Sequence, residues 1–266
     1  MKTALIIFGV VLILFTVLPM LKKDVWWVRI FDFPRLQITI LLIVTFAAYV
    51  SLLWDPTVEE SIFLGILTLC MIYQGYMMFP YTKLASKQVQ QSRRVREGST
   101  ITLLFANVLQ DNRNAARLRE IIDKADPDII LTVETDKWWM DQLKAYEKSH
   151  PQIVQHPLDN TYGMLLYSRL ELIDPEVRFL VQDHVPSIHT RVKLPSGEVV
   201  VLRCLHPPPP FPTVEESATN RDAELLIVGK AVKDLDEPVI VFGDLNDVAW
   251  SRTNYLFQDI SGLLDP

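Results

Sequence analysis

Three stretches, 4–21, 36–54 and 61–80, carry no charged residue, and each has the length to cross a hydrocarbon core of roughly 30 Å as a helix. Uncharged runs of this length commit the first part of the chain to a bilayer. The first run is not read as a cleaved signal peptide, because Pro19 and Met20 followed by Lys22 and Lys23 do not make a small-residue cleavage site.

The flanks agree with three spanning helices. Trp26, Trp27, Trp54, Tyr76 and Tyr81 lie near the ends of the runs, where amphipathic rings favour the membrane interface. The first connection carries Lys22, Lys23, Arg29 and Arg35, the second (55–60) has no positive charge, and Lys83, Lys87, Arg93, Arg94 and Arg96 follow the third run. Three spans put the first connection and everything after the third run on one side. The positive-inside rule makes that side the cytoplasm, with Lys2 alone opposing. The expectation is a multi-pass protein of the cell (inner) membrane.

Residues 1–97 hold 10 basic and 6 acidic residues, a net of +4, whereas 98–266 hold 26 acidic and 16 basic, a net of −10. Nonspecific affinity for long nucleic acids comes mainly from Lys and Arg, so the acidic part is poorly suited to capture a polyanion. Cys70 and Cys204 are the only cysteines, which argues against a disulfide framework. No internal repeat is visible. The expected organisation is a membrane anchor over 1–82, a basic juxtamembrane linker over 83–99 that can touch anionic lipid, and a third unit over 100–266.

In that third unit, short apolar runs alternate with helical periodicity. Strands are expected at 101–105, 128–133, 163–167, 177–181, 188–194, 199–205 and 238–242, and helices at 114–125, 137–148 and 214–232. Pro195-Ser196-Gly197 reads as a hairpin turn, and the mixture points to α/β layers rather than a purely doubly wound sheet.

Five polar residues fall at four expected strand ends: Asn107, Glu134, His206, Asp244 and Asn246. Each alone reads as a turn former or helix cap. Together they supply carboxylate, amide and imidazole groups suited to a hard cation acting on phosphate oxygens, since Mg²⁺ uses few protein carboxylates and keeps waters or substrate oxygens as its other ligands.

The blocks Asn107-Val108, Asp126-Pro127-Asp128-Ile129-Ile130 with Glu134, Tyr162-Gly163-Met164-Leu165-Leu166-Tyr167-Ser168-Arg169, His206-Pro207 and Gly243-Asp244-Leu245-Asn246 occur in an order that resembles the endonuclease/exonuclease/phosphatase (DNase I-like) superfamily, in a membrane-anchored, bacterial-type form. The resemblance covers 100–266. It implies a DNase I-like four-layer α/β sandwich that hydrolyses phosphoester bonds with Mg²⁺ or Mn²⁺. Glu134 would be the principal metal ligand with Asn107 beside it. Asp244 would orient and deprotonate the attacking water, Asn246 would hold a phosphate oxygen, and His206 would donate to the phosphoryl group. Tyr162 is divided between approach to the phosphate and packing on the core. An Asp-His pair and a further Asp lie downstream of the GDLN-like block in the family, whereas here no His follows His206. The catalytic unit is therefore read as partial, a fragment of a longer protein with weak or no turnover and an uncovered sheet edge.

Blander readings are expected elsewhere. His150, His156, His184 and His189 lack ligand spacing, and most of them read as surface residues. Arg221 and Glu224 read as a surface pair, and 207–212 as a stiff polyproline segment fixing the His206 loop. Trp138 and Trp139 divide between helix packing and a substrate cleft or the bilayer.

The expected partners are the lipid bilayer and a phosphorylated substrate, lipid-linked or small in preference to nucleic acid, with no protein partner evident. A metal-dependent nuclease and a noncatalytic membrane scaffold are the alternatives. A cysteine introduced just after Arg96 is expected to resist a membrane-impermeant maleimide in intact cells and to react after lysis. Labelling of intact cells would reverse the assigned orientation.

Overall fold

The computed structural model describes residues 1–21, 23, 25–52, 57–92, 96–209 and 219–266. Lys22, Trp54, Arg93, Arg94 and 210–218, with the expected start of the helix at Val214, lie outside the described residues. The apolar runs are helices α1 (Lys2–Val17), α3 (Arg35–Leu52) and α4 (Val58–Met78), with the one-turn helix α2 (Trp26–Arg29) between the first two. Three segments, Lys2–Leu21, Arg35–Leu52 and Val58–Tyr81, are long and apolar enough to cross a membrane. Thr57 caps α4 by accepting a bond from the Glu60 N–H. Leu12, Ile38, Leu42, Leu67 and Cys70 form the bundle's small core. Ile7, Val44 and Leu69 point outward and are exposed, as on helices apolar all round.

The rest of the described chain is built on two four-stranded sheets. The first contains β1 (Leu103–Asn107), β2 (Ile129–Val133), β3 (Gln152–His156) and β4 (Met164–Ser168) in the order β1-β2-β4-β3. The second contains β5 (Glu171–Arg178), β6 (Ser187–Lys193), β7 (Val199–Leu205) and β8 (Val239–Gly243) in sequence order. Each sheet holds one parallel pair, β1 with β2 and β7 with β8, and a parallel pair needs a crossover. Helix α5 (Ala115–Ala125) supplies the first and α7 (Thr219–Val232) the second.

Every residue of β2 and β4 is buried, because these strands are covered on both faces. Ile129, Leu131, Val133, Met164 and Leu166 face Ile188, Val192, Leu202 and Cys204 of the other sheet. On the outer face of the first sheet, Ile130, Leu165 and Tyr167 meet Leu118 and Ile122 of α5 and Trp139 and Leu143 of α6 (Lys137–Leu143). On the outer face of the second, Leu205, Val239 and Val241 meet Leu225, Val228 and Val232 of α7 and Phe257 of α8 (Arg252–Ser261). The order of layers is helix, sheet, sheet, helix, the expected sandwich.

Several local readings need correction. The strand expected at 177–181 is β5, which starts at Glu171 and is bent where its register to β6 shifts between Ile173 and Glu176. β3 and α8 were not anticipated, and the helix expected over 137–148 gives way to a 3-10 turn at Lys144–Lys148. His150 and His189 are buried rather than on the surface: the His150 imidazole lies 3.0 Å from the Pro127 carbonyl and 2.9 Å from the Ser149 hydroxyl, and His189 lies 3.1 Å from the Ser187 hydroxyl. Arg221 and Glu224 are also buried, and Arg221 turns to Asp222 and Asp247. Trp139 is core, while Trp138 is half-buried under the Arg113 guanidinium, 4.8 Å from its ring centre.

Gly163 precedes β4 where the chain after β2 passes closest. A Cβ there would overlap the Thr135 carbonyl oxygen and lie 2.5 Å from the Leu158 nitrogen, both backbone atoms that no rotamer change moves. Gly163→Ala is expected to destabilise the domain by about 3 kcal/mol, a fall in melting temperature of about 6–12 °C. Gly65→Ala, with open space around it, serves as the neutral control in the same melt. Equal melting of the two variants would show that the 134–135 turn relaxes freely.

Candidate active site

Parallel strands present their C-terminal ends at one rim, and the polar residues follow those ends. Asn107 closes β1, Glu134 follows β2, His206 follows β7, and Asp244 and Asn246 follow β8. Packing of the sheets brings the two rims together. The Asn107 Nδ2 donates to Glu134 Oε1 at 2.7 Å within its own sheet and to Asp244 Oδ2 at 3.0 Å across to the other. The Asn107 side-chain oxygen Oδ1 accepts from the Leu109 N–H, and Gln110 N–H donates to the second Glu134 oxygen. One amide thus spans two carboxylates, each of which also has backbone partners or solvent.

Backbone geometry aims these groups. Glu134 has φ 58° and Asn246 has φ 49°, left-handed conformations that cost a non-glycine residue about 1–2 kcal/mol. At Glu134 the turn is held because the Thr135 N–H donates to the Gly163 carbonyl and the Leu158 N–H to the Thr135 carbonyl. At Asn246 it is held by the side chains: Asn246 N–H donates to Asp244 Oδ1 at 3.0 Å, and Asn246 Nδ2 donates to the Pro207 carbonyl at 2.9 Å. Gly243, with φ 141°, lets β8 end against the Leu205 carbonyl, where a Cβ would overlap it. Residues 205–207 and 243–246 are thereby locked together.

His206 is 2% exposed. Burial pushes its imidazole below the ordinary histidine range, against the opposing pull of the Asp244 and Glu134 charges. Its Nδ1 is buried and has no hydrogen-bond partner among the described residues. The Tyr162 ring is 5.6 Å from the His206 ring and 6.0 Å from that of His184. All six residues singled out in the sequence therefore fall in one place. Asp126 and Asp128 serve the fold instead: Asp126 ends α5 in a left-handed turn and pairs with Arg169, while Asp128 accepts from the Thr102 N–H.

Two residues beneath the site were not singled out for it. Arg221, 1% exposed, donates through Nη1 to the Asn246 carbonyl at 2.9 Å, and its Nη2 lies 3.3 Å from Asp247 Oδ2. Burial raises the Asp247 carboxyl, while Arg221 and the Ser251 hydroxyl pull it down. Asp247 follows Asn246 directly, a spacing visible in the sequence, but its partner lies 26 residues back on a helix that looked solvent-facing.

Among the described residues, no three His, Cys, Asp or Glu side chains form a ready cage for a metal. The Glu134 and Asp244 carboxylates are nonetheless hard donors that suit Mg²⁺ or Mn²⁺, which complete their coordination with water and substrate oxygens, and Asn107 would join them by turning its amide oxygen from the Leu109 N–H toward the ion. A cleft of about 380 Å³, lined by Asp174, Arg178, His189, Arg191 and Arg203 among others, contains none of these residues.

The model of the endonuclease/exonuclease/phosphatase family matches residues 104–266. The chain belongs to that family. Members of this superfamily hydrolyse phosphoester bonds and generally depend on a divalent metal. No curated protein matches the sequence significantly. Solved structures of similar fold include D. rerio TDP2 complexed with a single-strand DNA product (19% identity, TM-score 0.49, 63% of this chain and 66% of that one). They also include the human Nocturnin catalytic domain (16%, 0.49, 60% and 70%) and sphingomyelinase C from Streptomyces griseocarneus (14%, 0.49, 62% and 70%). The chain spans slightly less than two thirds of the TDP2 chains it matches, 64% of a humanized D. rerio form and 66% of the DNA-complexed one.

Glu134→Gly separates a residue kept for its carboxylate from one kept for the fold. Glycine relieves the left-handed backbone by about 1–2 kcal/mol, offsetting two hydrogen bonds worth about 1 kcal/mol each. The variant is expected to melt within about 3 °C of the parent. A much larger fall would assign Glu134 a structural role.

Proposed function

We propose that this chain is a membrane-anchored, divalent-metal-dependent phosphoesterase whose substrate is lipid-linked or a small phosphorylated molecule. The observation that carries the reading is the Asn107 side chain joining Glu134 of one sheet rim to Asp244 of the other, with Asn246 and His206 locked beside them. Glu134 and Asn107 would hold the metal. Its charge, when bound, neutralises phosphate oxygens and helps place the substrate.

The chain's own groups divide the remaining work. Asp244, which faces the other carboxylate across the Asn107 amide, would orient an attacking water and accept its proton. Asn246, whose amide is tied to the Pro207 carbonyl, would hold a phosphate oxygen. His206, kept neutral by burial, has one ring nitrogen that donates. A preorganised donor of this kind strengthens as charge builds on the phosphoryl oxygens. Tyr162, against the His206 ring, closes the same side of the site.

Substrate class follows from the surroundings. Residues 98–266 carry a net of −10, unfavourable for a long polyanion, while three helices able to span a membrane confine the rim near a bilayer, which raises the effective concentration of lipid substrates. The domain plan that goes with this reading is an anchor over 1–82, a basic linker over 83–99 and the catalytic unit from residue 100 onward. The cation-rich first connection and the catalytic unit share the cytoplasmic side.

Purified full chain in detergent, given Mg²⁺, is expected to release phosphorylated headgroup or phosphate from members of a phospholipid panel, slowly but measurably, in keeping with the weak turnover expected of a partial catalytic unit. EDTA is expected to abolish the release, Mn²⁺ to restore it, and Glu134→Gln to reduce it by about 10²-fold or more. Nicking of plasmid DNA without lipid hydrolysis would make the protein a nuclease. Folded protein that shows no heat of Mg²⁺ binding would make it a noncatalytic scaffold.

A further inference from the structure

The helical bundle touches the catalytic unit through a small set of polar contacts that converge on the loop following β8. Arg29, at the end of α2 between the first two apolar helices, is 7% exposed. Its Nη1 pairs with Asp222 Oδ2 on α7, and its Nη2 donates to Thr253 Oγ1 on α8 at 2.6 Å. The other Asp222 oxygen accepts from Arg221, at 2.9 Å through Nη2. Arg221 in turn holds the Asn246 carbonyl and faces Asp247. Charges therefore alternate Arg29, Asp222, Arg221, Asp247 along a line from the anchor to the residue after Asn246.

A second line runs in parallel. Gln74 of α4 donates to Thr16 of α1 and accepts from Arg35 Nη1 at 2.8 Å, and Arg35 Nη2 donates to Asp32 at 2.5 Å. The Asp32 carbonyl accepts from Trp250 Nε1 at 2.7 Å, and the Tyr81 hydroxyl donates to the Ala249 carbonyl at 2.7 Å. Both lines end within 246–250. A tether serving only to hold an enzyme near a membrane has no need of a buried, paired arginine aimed beneath the site.

We propose that Arg29 is a positioning residue: through Asp222 and Arg221 it fixes the 244–247 loop, making the helical bundle part of the site rather than a tether alone. Without Arg29, Asp222, partly buried, keeps only one of its two guanidinium partners. Arg221 is then drawn more fully to Asp222, and its hold on the Asn246 carbonyl and on Asp247 loosens. The catalytic consequence rests on the phosphoesterase reading above, whereas the mechanical coupling does not.

The test uses the full chain in detergent micelles with the parent, Arg29→Ala, Arg29→Lys, Asp222→Ala and the Arg29→Ala/Asp222→Ala double variant. Hydrogen-deuterium exchange is read first. Arg29→Ala is expected to speed exchange at least fivefold in peptides covering 243–251 and to leave 129–133, in the centre of the first sheet, unchanged. With Mg²⁺ and bis(p-nitrophenyl) phosphate, a soluble phosphodiester that removes any effect of membrane proximity, kcat is expected to fall about tenfold with KM within twofold. Arg29→Lys should recover part of the loss, and the double variant should lose no more than the worse single one.

Parental exchange across 243–251 in Arg29→Ala overturns the coupling whether or not the protein turns over. Accelerated exchange with parental kcat overturns the positioning role. Uniformly faster exchange across both sheets would make Arg29 a general stabilising residue and equally overturn it. A parent chain inactive on every phosphoester refutes the proposed function and leaves the exchange result to decide the coupling.

Discussion

The candidate site depends on the two sheet rims being closer than two carboxylates would choose. Glu134 and Asp244 come from different sheets, and ionised oxygens at that separation repel unless something sits between them. The Asn107 amide does so with both N–H bonds, one to each. Two hydrogen bonds cannot supply the energy for this approach. It comes from the dry interface behind the rim, where Ile129, Leu131, Val133, Met164 and Leu166 meet Ile188, Val192, Leu202 and Cys204. Parallel pairing in each sheet then determines which residues lie at the rim, so a packing decision in the core becomes a chemical arrangement at the edge.

That logic explains which parts of the fold were legible. A buried strand reads as a short apolar run, and a polar residue after it marks the rim, so the residues after β1, β2, β7 and β8 were found from one sequence. β3 was missed because Gln152, Gln155 and His156 make an edge strand look like a loop. β5 was displaced because Asp174, Pro175 and Glu176 interrupt it where the register shifts. Helix periodicity suggested a solvated Arg221 and Glu224, three residues apart. Burial of Arg221 depends on Asp247 and the Asn246 carbonyl, contacts that no local window contains. His150 and His189 fail for the same reason: their burial is set by strands and loops far along the chain.

Hydropathy found three helices and was blind to what lies between them. Thr16, Arg35 and Gln74 are all buried and bonded to one another at the domain-proximal end of the bundle. Each is costly in an apolar setting without partners, and the set becomes tolerable only because every member is paired. The same network fixes the angle at which Asp32 and α2 leave the bundle, and therefore where Arg29 arrives. Tyr81 illustrates the limit of composition rules. Its position at a helix end suggested an interfacial ring, yet its hydroxyl is bonded to the Ala249 carbonyl and its ring meets Trp250 at 6.0 Å.

Arg29 and Arg35 also belong to two different stages of the protein's life. During insertion they are cations in a short loop, and in the proposed topology they help retain that loop in the cytoplasm. In the folded protein neither is a loose surface charge: Arg35 is paired with Asp32, and Arg29 with Asp222 of the acidic unit. The two uses are compatible only when the first connection and the catalytic unit share a side, as the proposed three crossings would require. In that topology an opposite placement of the domain would separate Arg29 from Asp222 and leave Asp222 beside Arg221 alone, while the Arg35–Asp32 pair within the connection would be untouched. In the proposed topology Arg29 would therefore serve both orientation and site geometry.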